Sequence, residues 1–200
     1  MYSSSSSTPH TGGRAGARRL MVAVIVTLCV SLPGAHAARA SDPAPAPDVS
    51  VREERGLYSV SARFVIPQRP AVALAVLSDY EQIPRFMPDV RTSLVLERSE
   101  GRFLVEQEAV ARFMMFSKRV HLLLDVAQQP DSLTFRDRCG KSFSLYEGAW
   151  TVREAEGVTI VTYELKARPS FDVPEFLLKR LLKRDSIQMI GRLQAEMARR

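Results

Sequence analysis

Polar and apolar residues change their spacing several times along this chain, and each change predicts an element. From Leu57 onward, Tyr58, Val60, Ala62, Phe64 and Ile66 alternate with Ser59, Ser61 and Arg63. A two-residue period is that of a strand with one wet face, and Pro67 ends it. Residues 70–77 form a short apolar run with Pro70 in its first turn, which predicts a helix. Residues 79–88 predict a second short helical piece, closed by Pro84 and Pro88. Strand-like runs follow at 92–97, 103–110, 116–126, 133–137, 143–152 and 158–167. Turn chemistry lies between several of them, at Ser99-Glu100-Gly101, Pro130-Asp131-Ser132, Cys139-Gly140-Lys141-Ser142 and Glu156-Gly157, so they read as an antiparallel meander.

The period changes to 3.6 in the last stretch, PEFLLKRLLKRDSIQMIGRLQAEM (174–197), with Pro174 in the first helical turn. At about 100° per residue, Leu178, Leu182, Met189 and Leu193 share a narrow arc, with Leu181 and Met197 at its edges and Arg180, Lys183 and Arg184 opposite. A single sheet has one apolar face to bury, and this helix is the long amphipathic element available to cover it. The predicted fold is therefore α+β of helix-grip type. A curved antiparallel sheet of about seven strands wraps a long C-terminal helix, and two short helices follow the first strand. Asp185 falls inside the apolar arc, where an unpaired carboxylate would be costly. It pairs with an arginine of the sheet, bonds a polar ligand group, or marks a bend that turns it outward.

Composition divides the chain before that domain begins. Arg18 and Arg19, the apolar run 20–32 and the Ala35-His36-Ala37 ending have the layout of a secretory signal peptide, which assigns 1–37 to export and predicts a periplasmic protein. Residues 38–55 contain SDPAPAPDVS and read as a Pro/Ala-rich linker, leaving 56–200 as one ligand-binding domain. The formal net charge of +6 shrinks with the signal: loss of Arg14, Arg18 and Arg19 leaves 25 basic against 22 acidic residues, or +3. That balance, without interleaved stacking aromatics, does not call for nucleic acid. Cys139 is then the one remaining cysteine, so no internal disulfide is available, and the chain is expected to act as a monomer.

Candidate chemistry is sparse. No HExxH, CxxC, nucleophile elbow or glycine-rich phosphate loop occurs, so neither a metal nor a cofactor is predicted and no catalytic residue is assigned. His121 would be the single histidine of the mature chain, on the polar side of its strand with Asp125. Glu106 and Glu108 share a strand face and are expected to meet water, and Cys139 is expected to be a free thiol at a turn end. Phe113-Met114-Met115-Phe116 breaks the strand alternation with four large, adaptable side chains, which marks either core, a partner-facing edge or a ligand cavity. Lys179, Arg180, Lys183 and Arg184 form a basic helix face, either solvated or touching a membrane surface.

The segments VLSDYEQIPRFMPDV (76–90), LYEGAWTV (145–152), GVTIVTYEL (157–165) and RLLKRDSIQMIGRLQAE (180–196) resemble the START-like, or SRPBCC, superfamily. The resemblance is closest to its polyketide cyclase/dehydrase and coenzyme Q-binding START-type branch, and covers roughly residues 57–197. It implies a cavity between sheet and C-terminal helix for a lipid, an isoprenoid quinone or a polyketide. Phe86 and Met87 would stand at its mouth, and Met114, Phe116, Trp150, Tyr163, Asp185 and Met189 complete the candidate ligand-binding set. The expected function is that of an exported carrier of a hydrophobic small molecule. The alternative is a cyclase/dehydrase-type enzyme, in which Tyr163, Asp185 and His121 would converge in the pocket. Export departs from the cytosolic or mitochondrial location common in that family.

Overall fold

The computed structural model describes residues 46–113, 116–172 and 174–200, with the backbone alone for Phe113 and Phe116. The proposed signal segment and the start of the linker lie outside the described residues. Eight strands make one sheet: β1 (Asp48–Glu54), β2 (Leu57–Ile66), β3 (Val90–Ser99), β4 (Arg102–Phe113), β5 (Phe116–Gln129), β6 (Ser132–Asp137), β7 (Phe143–Ala155) and β8 (Val158–Pro169). Helix α1 (Pro70–Leu77), a single 3-10 turn at Tyr80–Gln82 and helix α2 (Ile83–Phe86) connect β2 to β3, and α3 (Glu175–Met197) closes the chain. The order across the sheet is β1-β2-β8-β7-β6-β5-β4-β3, every pair antiparallel. This is the helix-grip arrangement.

One strand was hidden in the segment read as linker. Val49 is buried and Val51 half-buried, and they alternate with exposed Asp48, Ser50 and Arg52, so Asp48–Glu54 pairs with β2 as an edge strand. Arg55 and Gly56, both at positive φ, form the tight turn that joins them. The linker assignment therefore fails from Asp48 on, because proline-rich composition ends at Pro47 while the two-residue period begins immediately after it.

Alternation sends Tyr58, Val60, Ala62, Phe64 and Ile66 of β2 to the helix side, with Val120, Leu122, Leu124 and Val126 of β5 and Val161, Tyr163, Leu165 and Ala167 of β8. Ala73, Val76 and Leu77 of α1 and Ile190, Leu193 and Met197 of α3 complete the core. Pro174 stands just before the helix as its N-cap rather than inside the first turn.

Polar tethers fix where α3 lies. Gln194 donates to the Val65 carbonyl at 3.2 Å, Arg192 to Asp89 at 2.9 Å, and Arg200 to Asp79 at 2.7 Å. At the other end of the sheet, β6 is too short to pair the first half of β5. Asp137 supplies the missing acceptors, taking the N–H groups of Leu123 (2.8 Å), Cys139 (3.3 Å) and Gly140 (3.0 Å), while Ser142 Oγ accepts from His121 N–H (3.0 Å). Cys139 is a half-buried free thiol in this turn.

Gly148, in the middle of β7, leaves no room for a side chain. A Cβ placed there would stand 2.3 Å from the Glu164 carbonyl oxygen and 2.6 Å from Cζ of Phe135. Gly148→Ala is expected to destabilise the domain by about 1–3 kcal/mol, the usual range for overpacking. Urea unfolding of the two proteins measures this, and equal midpoints would show that β7 yields without strain.

Candidate functional site

Between α3 and the inner face of the sheet lies a cavity of about 680 Å³. Its wall is built by one strand rule and one helix rule acting together. Each strand contributes alternate residues, so Val105, Gln107 and Ala109 of β4 face Leu122 and Leu124 of β5, Phe135 of β6, Tyr146 and Trp150 of β7, and Tyr163 and Leu165 of β8. The connecting helices add Val76, Leu77, Tyr80, Ile83, Phe86 and Met87. From α3 come Leu182, Asp185, Ser186, Met189, Arg192 and Leu193.

The helix explains why the space stays open. Its fully packed side chains form two groups, Leu178 and Leu181 near the start and Ile190, Leu193 and Met197 near the end. At about 100° per residue these groups lie on different sides of the helix. Leu182 and Met189, central in the sequence-predicted arc, are half-buried because they face the cavity instead of packed side chains.

An aromatic row crosses the floor. Phe143 and Tyr146 have ring centroids 4.9 Å apart, Tyr146 and Phe135 5.8 Å, Phe135 and Tyr163 6.5 Å, and Tyr163 and Trp150 4.2 Å in a stacked arrangement. Tyr146 and Tyr163 lie close enough for each hydroxyl to influence the ionisation of the other. Burial pushes the Tyr146 hydroxyl up to about 12 and that of Tyr163 well above its ordinary value. Tyr80 meets Phe103 with ring centroids 5.3 Å apart in a tilted arrangement, and burial pushes its hydroxyl up to about 12. That hydroxyl is buried and has no hydrogen-bond partner. Gln107 donates to the buried Ser93 hydroxyl at 3.1 Å.

The mouth is ionic. Asp89 accepts from Arg112 of β4 and from Arg192 of α3, so one carboxylate ties the α2–β3 connection to a hairpin and to the helix. Arg184 bonds Asp185 (Nε to Oδ1, 2.8 Å) and also donates to the Arg112 carbonyl at 3.3 Å.

The sequence-predicted residues divide accordingly. Phe86, Met87, Trp150, Tyr163, Asp185 and Met189 all line the cavity. Met114 lies outside the described residues, as does the side chain of Phe116. Asp185 is not a buried charge: its side chain is 48% exposed and its partner is the adjacent Arg184, not an arginine from the core of the sheet. A rotation of about 100° carries the next residue, Ser186, into the packed face instead. His121 does not converge with Tyr163 and Asp185, because strand parity places it on the opposite face of the sheet. There Glu106 and Glu108 bracket its imidazole at 3.6 and 3.8 Å, while Asp125 is taken by Arg102 at 3.0 Å. Tyr80, Phe135 and Tyr146 were missed. Phe135 and Tyr146 sit on alternation that a short and a bent strand obscure, and Tyr80 lies beside the prolines that drew attention to Phe86 and Met87.

A second hollow, about 830 Å³, lies on the polar face of the sheet. Ion pairs, Arg102–Asp125 and Arg136–Glu147 (2.6 Å), occupy part of it, and the cavity under α3 has the more apolar lining, so that cavity is the candidate ligand site. Among the described residues no group of three His, Cys, Asp or Glu side chains could hold a metal ion, and no helix is long and apolar enough to cross a membrane.

Three buried tyrosine hydroxyls with raised values make a pH prediction. Each favours the protonated folded form, so its contribution is intact below pH 10.0, the unfolded value, and is lost as pH climbs toward about 12. Stability should fall over that window, with tyrosinate absorbance at 295 nm appearing together with loss of the sheet signal in circular dichroism. Tyr146→Phe should flatten the fall. Tyrosinate formation near pH 10 in a still-folded protein would contradict the burial.

Residues 66–194 match the family described as polyketide cyclase / dehydrase and lipid transport. No curated protein sequence matches the chain significantly. Among solved structures it is similar to a STAR-related lipid transfer protein from Xanthomonas axonopodis, at 19% identity and a TM-score of 0.62, covering 79% of this chain and 97% of that one. A START superfamily protein from Mycobacterium smegmatis superposes at TM-score 0.60 with 16% identity, covering 70% of this chain and 97% of its own. The Zhui aromatase/cyclase from Streptomyces sp. R1128 does so at 0.61 with 12% identity, covering 72% and 95%. At these identities the likeness is one of fold.

Proposed function

This chain belongs to the polyketide cyclase / dehydrase and lipid transport family, and from that premise we propose that it is an exported carrier of a hydrophobic small molecule, a lipid or an isoprenoid quinone. The observation that carries the reading is the cavity itself: about 680 Å³, apolar over most of its wall, aromatic along its floor and rimmed by charges. A space of that size is large for a packing defect in a domain this small, since protein interiors leave few voids beyond the size of a water molecule. The composition of residues 1–37 supports export.

Carriage is favoured over turnover by what surrounds the space. General acid–base chemistry works best with a group titrating near the working pH. Burial moves the three cavity tyrosines away from neutrality, and the mature chain's histidine faces the other way. The cyclase/dehydrase alternative draws on the Streptomyces relative's name, as the carrier reading draws on that of the Xanthomonas one.

A further observation favours contact with a membrane surface. Phe176 is 78% exposed at the start of α3, on the side that carries exposed Lys179, Arg180 and Lys183. Cations near an anionic leaflet contribute roughly 1 kcal/mol each, and a projecting aromatic ring adds apolar insertion. Arg184 is drawn instead toward the cavity mouth by Asp185.

Native mass spectrometry of protein purified from the periplasm should show a co-purifying apolar molecule. Ala109→Trp, which fills the cavity from β4, should remove it and weaken rebinding at least tenfold, about 1.4 kcal/mol, while the protein stays folded. An empty wild-type protein that binds no member of lipid and quinone panels would end the carrier reading. In flotation assays, vesicles containing anionic lipid should lift the protein more than neutral ones, and Phe176→Ser should weaken the effect. Equal behaviour with both vesicle types would remove the membrane contact.

A further inference from the structure

Five charged side chains line the cavity, and all of them belong to one cluster. Asp89 accepts from Arg112 and, at 2.9 Å, from Arg192. Arg184 bonds Asp185 at 2.8 Å and reaches the Arg112 carbonyl at 3.3 Å, which joins the two groups. These side chains are between 33% and 52% exposed, so they stand where the cavity opens to water. The other lining residues carry no charge at neutral pH.

The cluster does not balance. Arg184 and Asp185 cancel, but Arg112 and Arg192 share the single carboxylate of Asp89, which leaves three guanidinium groups against two carboxylates. A guanidinium has five N–H donors in a fixed fork, and Asp89 takes one bond from each of its two arginines. The neighbourhood adds to the excess. Lys118 sits on the partner strand opposite Ala111, beside Arg112, and Lys183 precedes Arg184 on α3, both exposed.

A surplus positive charge at the rim of an apolar cavity is answered by an anion attached to an apolar body. Arginine forks match a carboxylate in shape and bond it more strongly than a neutral oxygen. At a half-exposed rim such a head keeps part of its hydration, so no ionised group enters the dry interior unpaired. We propose that the ligand is an acidic amphiphile, held with its carboxylate at the Arg112–Arg192 rim and its apolar part toward the aromatic floor. The inference rests on the carrier reading and narrows it, because a neutral or cationic molecule leaves the surplus charge unanswered. Asp89 is then the ligand's competitor for two arginines as well as a brace between them.

Trp150 is the single tryptophan of the chain and lines the cavity, so its fluorescence reports occupancy. The probes are dodecanoate, dodecan-1-ol and dodecylammonium, titrated near neutral pH, which share a chain length and differ in the charge of the head. The wild type should bind dodecanoate about tenfold more tightly than the alcohol, the size of one charge-assisted hydrogen bond, and the ammonium most weakly. Each variant is read as the ratio of acid to alcohol affinity, which cancels any general loosening of the rim. In Arg192→Gln the ratio should fall several-fold, whereas in Asp89→Asn, which removes the competing carboxylate, it should rise. Equal binding of acid and alcohol by the wild type, an unchanged ratio in R192Q, or a ratio that does not rise in D89N would each overturn the inference while leaving the carrier reading intact. Failure of all three probes to bind the wild type would count against the carrier reading and this inference together.

Discussion

The constraint on which this structure depends is that one helix must cover a sheet far wider than itself. An eight-stranded sheet at about 4.8 Å per strand spacing is more than 30 Å across, while a helix with its side chains is about 10–12 Å thick. Curvature brings the edges closer but does not remove the mismatch. Helix α3 resolves it by packing fully at its end, through Ile190, Leu193 and Met197, and standing off over its middle. The cavity is the space left over. Its walls are apolar because each strand presents the same alternate face to the helix, whether or not the helix reaches it.

Such a space carries a cost in stability, since unfilled apolar volume forfeits the contacts its walls would otherwise make. The fold offsets this at the rim rather than in the floor. Asp89 joins three separate pieces of chain, Arg200 ties the helix end to Asp79, and Gln194 bonds the β2 backbone. These partly exposed contacts are individually modest. They act on the helix position, however, and therefore on whether the cavity keeps its shape.

Much of this was legible from spacing. The strand and helix order, the turn positions and the amphipathic nature of the last segment follow from periods of two and 3.6 and from proline and glycine placement, which are local properties. The missed strand, Asp48–Glu54, carries the same two-residue period, but the proline-rich residues before it dominated the composition. Asp185 shows the other limit. A single helical wheel assumes one buried face along the whole helix, and α3 has two, so a residue read as buried lies at the mouth with Arg184.

By itself, then, the sequence determined the α+β helix-grip order and the family, because alternation, helical period and turn residues act over neighbours in the chain. It also placed six of the eight candidate side chains on segments that line the cavity. The tertiary structure decided the cavity's depth and polarity. Whether Trp150 stacks on Tyr163, whether Asp89 meets Arg192, and whether the Tyr80 hydroxyl finds a partner depend on residues tens of positions apart. Those distances are set by how closely the strands pack, as at Gly148 against Glu164 and Phe135, and by where α3 lies on the sheet, neither of which a local pattern encodes.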